Sequence, residues 1–124
     1  MTAQVLDASA ILAFLRDEEG VARVEAVLDS GSAVCSAVNW SEVAQKVRAA
    51  GADWDVAAAL LAGYGLRVLD ATTADAERAA ERWQAGTGLS LAGRFCLALA
   101  DRLEAPAWTA DAEWGTADPV RQIR

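Results

Sequence analysis

The sequence contains no histidine. That absence removes Ser-His-Asp and Cys-His nucleophiles, His-ligated zinc and any imidazole general base. Lysine is nearly missing as well, with Lys46 the only one. Cysteine occurs twice, and Cys35 and Cys96 lie far apart with no C-x-x-C spacing. That pattern fits reduced thiols buried in a cytosolic fold better than a disulfide framework or a metal site. No apolar run is long enough to span a bilayer, and the apolar stretch at residues 56–66 is short and broken by Gly63 and Gly65. No basic segment followed by an apolar one opens the chain, so an export signal is not expected and the expected location is cytoplasmic, without a membrane partner.

What remains is acid. Asp and Glu number 18 against 11 basic residues, a formal net charge of -7. This argues against broad electrostatic binding of nucleic acid. It leaves room for a phosphate substrate where divalent metal sits on an acidic cluster. Chemistry must run on carboxylates, hydroxyls, arginines and bound metal. With 124 residues, 54% of them hydrophobic, one compact domain over residues 1–124 is expected.

Short apolar strands alternate with helical patterns. Strands are expected at Val5-Leu6, Ala33 to Ser36, Leu66 to Leu69, Ala107 to Thr109 and Val120 to Ile123. Helices are expected at 8–15, 20–28, Asn39 to Ala50, 54–61, Thr73 to Trp83 and Ser90 to Leu103. The order implies an α/β fold with a short, mostly parallel sheet of about four to five strands flanked by helices. The strands are short and largely apolar, as strands covered on both faces should be.

In such a sheet, ligands bind outside the carboxyl ends of the strands. Asp7 follows the first strand and Asp111 the fourth. Glu42 falls in the first turn of the helix after the second strand. Converging there, the three acids would repel unless a hard cation relieved them, and Mg²⁺ or Mn²⁺ takes oxygen ligands. The arrangement suits metal-assisted phosphodiester hydrolysis. Ser9 and Thr109 are placed to hydrogen-bond the carboxylates. Each acid also has a purely structural reading. Asp7 and Asp111 can cap the elements that follow, and Asn39 with Glu42 fits a capping box. Two other sites are rejected. Gly88 to Phe95 has the glycine spacing of a P-loop but puts Arg94 and Phe95 where Lys and Ser or Thr are needed. A phosphoacceptor receiver needs a lysine after the central strand, and Lys46 lies before it.

Val5-Leu6-Asp7-Ala8-Ser9-Ala10, Asn39-Trp40-Ser41-Glu42-Val43, Leu89-Ser90-Leu91-Ala92, Cys96-Leu97-Ala98-Leu99-Ala100 and Thr109-Ala110-Asp111 occur in the order of PIN-domain proteins. Over nearly its whole length the chain resembles the VapC-type toxins of bacterial toxin–antitoxin pairs. The resemblance implies a PIN fold and a Mg²⁺- or Mn²⁺-dependent endoribonuclease acting on RNA. It also implies a homodimer inhibited by a cognate VapB-type antitoxin, with operator DNA reached only through that antitoxin. Asp7, Glu42 and Asp111 would be the metal-site acids, with Ser9, Asn39 and Thr109 supporting them. Arg16, Arg48 and Arg94 are the candidates for RNA contact. Trp54, Leu60 and Leu61 are candidates for the dimer surface or the antitoxin groove, or else for the core.

One position departs from the pattern. The family reads Ser-Leu-x-Asp where this chain reads Ser90-Leu91-Ala92-Gly93. Glycine costs roughly 1 kcal/mol against alanine in a helix interior, and nothing in the neighbouring sequence calls for it. Asp101, about two turns further along the same helix, is badly placed to substitute. Weakened or abolished turnover is therefore expected. The rival expectations are a catalytically silent PIN module that only engages an antitoxin, and a PIN nuclease outside toxin–antitoxin systems.

Overall fold

A computed structural model describes residues 2–124. The elements run β1 (Gln4–Leu6), α1 (Ala8–Leu15), α2 (Val21–Asp29), β2 (Ala33–Ser36), α3 (Ala37–Ala49), α4 (Trp54–Gly63), β3 (Arg67–Leu69), α5 (Thr73–Glu81), α6 (Leu91–Leu103), β4 (Ala107–Thr109), a 3₁₀ turn (Ala112–Trp114) and β5 (Val120–Gln122). The strands form one sheet in the order β3-β2-β1-β4-β5, every pair parallel. This is the α/β sandwich expected, with β1 at its centre.

Alternation along the strands divides the core. Leu6 and Cys35 face α1, α2, α3 and α4, where they pack with Ile11, Val24, Leu28, Val43 and Leu61. Val5 and Val34 face the other way onto α6, against Cys96, Leu97 and Leu99. Each fully buried aliphatic side chain contributes roughly 1.5–3 kcal/mol, and both faces of the short strands are used.

Two differences from the sequence pattern matter for the site. β2 passes into α3 with no loop, because Ser36 ends the strand and caps the helix, its Oγ accepting from Val38 N at 3.1 Å. Asn39 is therefore not the cap, and the expected capping box does not form. Glu42 moves from the first turn to the second, and Asn39 becomes a buried residue inside the helix, 1% exposed. The other difference is at α5, which ends at Glu81, leaving Trp83 exposed. Its charged residues are partly internal. Asp75 is buried and paired with Arg102 (3.0 and 3.1 Å), while Arg82 grips Asp101 through both carboxylate oxygens. These pairs clamp α5 to α6 and hold Asp101 away from the carboxyl edge of the sheet.

Candidate metal centre

β1 and β4 are parallel neighbours, so the residues after them leave the same edge. Asp7 sits alone between β1 and α1. It caps α1, accepting from Ala10 N at 2.8 Å, and it is 5% exposed. Ser9 Oγ lies 2.8 and 2.9 Å from its two oxygens, and Thr109 Oγ1 donates to it at 2.7 Å. The same hydroxyls accept from the next strand's exit. Ser9 Oγ takes Ala110 N at 2.9 Å, and Thr109 Oγ1 takes Asp111 N at 3.0 Å. Ser9 and Thr109 thus stitch the end of β1 to the end of β4, and they fix the main chain of Asp111 one hydroxyl away from the Asp7 carboxylate.

Every partner of Asp7 is neutral. Burial pushes its carboxyl up from 3.8 to about 6. The bonds from Ala10, Thr109 and Ser9 pull the other way, and the charge of Glu42 adds to the rise. Glu42 is thus close enough to be felt, although its own carboxylate is turned to Lys46 at 3.3 Å. Asp111 Oδ1 accepts from Glu113 N at 2.9 Å and caps the 3₁₀ turn. Capping and ligation do not exclude each other, since each carboxylate has lone pairs to spare. Among the described residues, no three Asp, Glu, His or Cys side chains are already gathered as a metal cage. The charge of Glu42 reaches Asp7, and Asp111 follows β4 at the same edge of the sheet.

Asn39 and Gly93 lie where α3 meets the start of α6. Asn39 Nδ2 donates to Ala92 O at 3.0 Å, joining α3 to the first turn of α6. Its Oδ1 is buried and has no partner. Ser90 caps α6, accepting from Gly93 N at 3.0 Å. Above Gly93 lies the Trp114 indole. A Cβ at position 93 would stand 2.9 Å from its Cζ2 and 3.1 Å from Leu89 Cδ1. The glycine that the local sequence does not explain is explained by a tryptophan 21 positions later. No local pattern announces that contact.

The candidate arginines spread apart. Arg94 folds onto α5 and donates to Ala79 O at 2.9 Å, so it braces two helices. Arg48 is exposed in the last turn of α3. Arg16 borders an apolar groove of about 350 Å³ that includes Leu12, Leu15, Val56 and Leu60. Of the three apolar candidates on α4, Leu61 is wholly buried in the core. Trp54 stacks edge-on against Trp40 with ring centroids 4.9 Å apart, and only Leu60 is exposed.

The PIN domain family model matches residues 5–118. The chain belongs to the PIN domain family. Solved structures share this PIN fold along their full length. A toxin–antitoxin complex from Klebsiella pneumoniae aligns with a TM-score of 0.76 at 14% identity, covering 98% of each chain. The DNA-bound VapBC of Salmonella typhimurium aligns with a TM-score of 0.73 at 18% identity, covering 100% of each. No curated protein sequence matches significantly.

PIN nucleases generally use divalent metals. The residues here fit one. The donors are all oxygen, the preference of hard cations. Asp7 is a buried carboxylate without a cationic partner among the described residues, and Asn39 Oδ1, where α3 meets the first turn of α6, is an orphaned buried acceptor.

Proposed function

We propose that this PIN domain is a VapC-type toxin, a Mg²⁺- or Mn²⁺-dependent endoribonuclease held in check by a VapB-type antitoxin. The observation that carries the reading is Asp7: buried, raised to about 6, and surrounded only by neutral donors. A buried carboxylate of this kind is stabilised by a cation from outside. When bound, the cation supplies charge neutralisation at the scissile phosphate and activation of water. Asp7, Glu42 and Asp111 would hold it. Ser9 and Thr109 orient Asp7 by donating to it, and they keep the exits of β1 and β4 in register. With glycine at position 93 the site lacks one carboxylate of the family pattern, and turnover is correspondingly weak.

The partner reading rests on the groove between α1, α3 and α4. Leu12, Leu15, Val56 and Leu60 give it an apolar floor, with Arg16 and Asp53 at the rim. Val56 is 64% and Leu60 48% exposed, an unpaired apolar edge suited to the apolar face of an antitoxin helix. A homodimer and a cytoplasmic location belong to the same proposal. No helix among the described residues is long and apolar enough to cross a membrane.

A second reading, a PIN module that binds an antitoxin without cutting RNA, is favoured by one contact. The Trp114 indole occupies the space above Gly93 where a side chain would go. Mn²⁺-dependent RNA cleavage decides between them, comparing the parent with Asp7→Asn, with Gly93→Asp, and with Gly93→Asp in a Trp114→Ala background. The nuclease reading expects weak cleavage by the parent, none by Asp7→Asn and a rise on restoring the acid. No cleavage by any of them, with antitoxin binding intact, selects the silent module. Equal cleavage by parent and Gly93→Asp shows that position 93 is not a ligand.

A further inference from the structure

Asn39 is the single asparagine of the chain. Its side chain is 1% exposed, and its two polar atoms have different fates. Only the nitrogen can donate, so the 3.0 Å bond to Ala92 O fixes which end of the amide faces α6. The oxygen is left without a partner in a buried position. Leaving a buried acceptor unsatisfied costs about 1–3 kcal/mol, and such atoms are rare in folded proteins. The large majority of buried side-chain polar atoms find a partner, and the only other one without it among the described residues is Arg94 Nε.

Its position narrows the explanation. Asn39 precedes Glu42 by three residues, so the two share a face of α3. The amide lies against the carbonyl of Ala92, the residue before Gly93. The orphaned oxygen therefore falls between the turn that carries Glu42 and the turn where the expected acid is missing. Amide oxygens are ordinary ligands of hard divalent cations, alongside carboxylates and water.

We propose that Asn39 Oδ1 is a direct ligand of the divalent cation in this chain, standing in for the carboxylate absent at position 93. The inference rests on the metal reading of the Asp7 site. A neutral oxygen replaces a charged one, so the site keeps its coordination while losing one negative charge. Binding weaker than that of a fully acidic set follows from this exchange.

Because no other asparagine exists, labelling asparagine with ¹³C at the side-chain carbonyl yields one resonance that belongs to Asn39. Mg²⁺ is titrated into the intact protein while calorimetry follows binding. The expected result is a shift of that resonance which saturates with the calorimetric isotherm, and which disappears in Asp7→Ala, a change that adds no second asparagine. Calorimetric binding with an unmoved carbonyl resonance overturns the inference and leaves the metal site standing. No binding at all overturns the metal site and the inference with it. Two variants sharpen the result. Asn39→Ala and Asn39→Asp both lose the donor to Ala92 O, so a purely structural role weakens Mn²⁺ binding in both alike. A ligand role predicts that Ala loses about tenfold or more in affinity, whereas Asp matches or exceeds the parent.

Discussion

Asp7 and Asp75 are the two buried aspartates among the described residues, 5% and 4% exposed, and they resolve their burial in opposite ways. Burial works to raise both. At Asp75, Arg102 donates twice and brings a full positive charge, and Thr72 completes a capping box, so the carboxyl is held below its ordinary value. At Asp7 the donors are a backbone amide and two hydroxyls, none charged, and the carboxyl rises to about 6. The α5–α6 clamp is electrostatically finished within the chain. The edge of the sheet is not. A carboxylate that is complete within the fold supports stability, whereas one left short of positive charge marks a place prepared for something else.

The contrast breaks first at the clamp. Arg102→Met strands a buried carboxylate, so it should cost about 3 kcal/mol, roughly 10 °C of melting temperature. The loss should shrink under acid. Asp75 is held below its ordinary value, so its contribution is present above that value and disappears as pH falls through the folded one. Thermal melts at pH 7 and pH 3 check both statements.

The sign reverses at the edge. Asp7 has a folded value of about 6 against 3.8, so below pH 4 it is protonated in both states and contributes nothing. Stability falls as pH rises between those values, and above about pH 6 the folded protein carries a penalty of up to about 3 kcal/mol. Asp7→Asn should therefore stabilise the protein at pH 8 by about 2 kcal/mol and leave it unchanged near pH 4. A loss of stability at pH 8 would mean that Asp7 is already balanced within the chain. Divalent cation should cancel the difference by raising the melting temperature of the parent and not of Asp7→Asn. Saturation at about 100 times the dissociation constant is worth about 2.7 kcal/mol. Affinity for Mn²⁺ should in turn drop about tenfold per pH unit below pH 6, where the cation must displace the Asp7 proton.

Much of this was legible in the residues. The parallel pairing of the sheet follows from apolar segments alternating with helices, and Asp7 and Asp111 could be placed at one edge because parallel strands exit together. What escaped had tertiary causes. Ser36 caps α3 directly from the end of β2, and Ala37-Val38 look like strand rather than a first turn, so the sequence pattern offers Asn39 as a cap that it does not form. Asp75 looks like a solvated helix acid until Arg102 arrives from α6. Arg94, a candidate for RNA contact, faces α5 because α5 and α6 lie face to face. Spacing rules see one element at a time, and each of these contacts joins two.

Gly93 offers the smallest effect and the finest test. Helix propensity alone predicts that Gly93→Ala stabilises α6 by up to about 1 kcal/mol. Packing predicts the reverse, because the new Cβ would meet Trp114 Cζ2 at 2.9 Å, Leu89 Cδ1 at 3.1 Å and Ser90 Oγ at 3.3 Å. Overpacking of this kind costs about 1–3 kcal/mol, so the net expectation is a loss of about 1 kcal/mol. In a Trp114→Leu background the indole is gone, and the same substitution should become neutral or favourable. The coupling between the two positions, read from a double-mutant cycle by chemical denaturation, should be about 1 kcal/mol or more. If Gly93→Ala alone delivers the full propensity gain, the indole is not pressed against the helix. A large coupling means that an acid can return to position 93 only when Trp114 gives way. The tryptophan would then decide, as much as the glycine does, how many carboxylates this edge of the sheet presents.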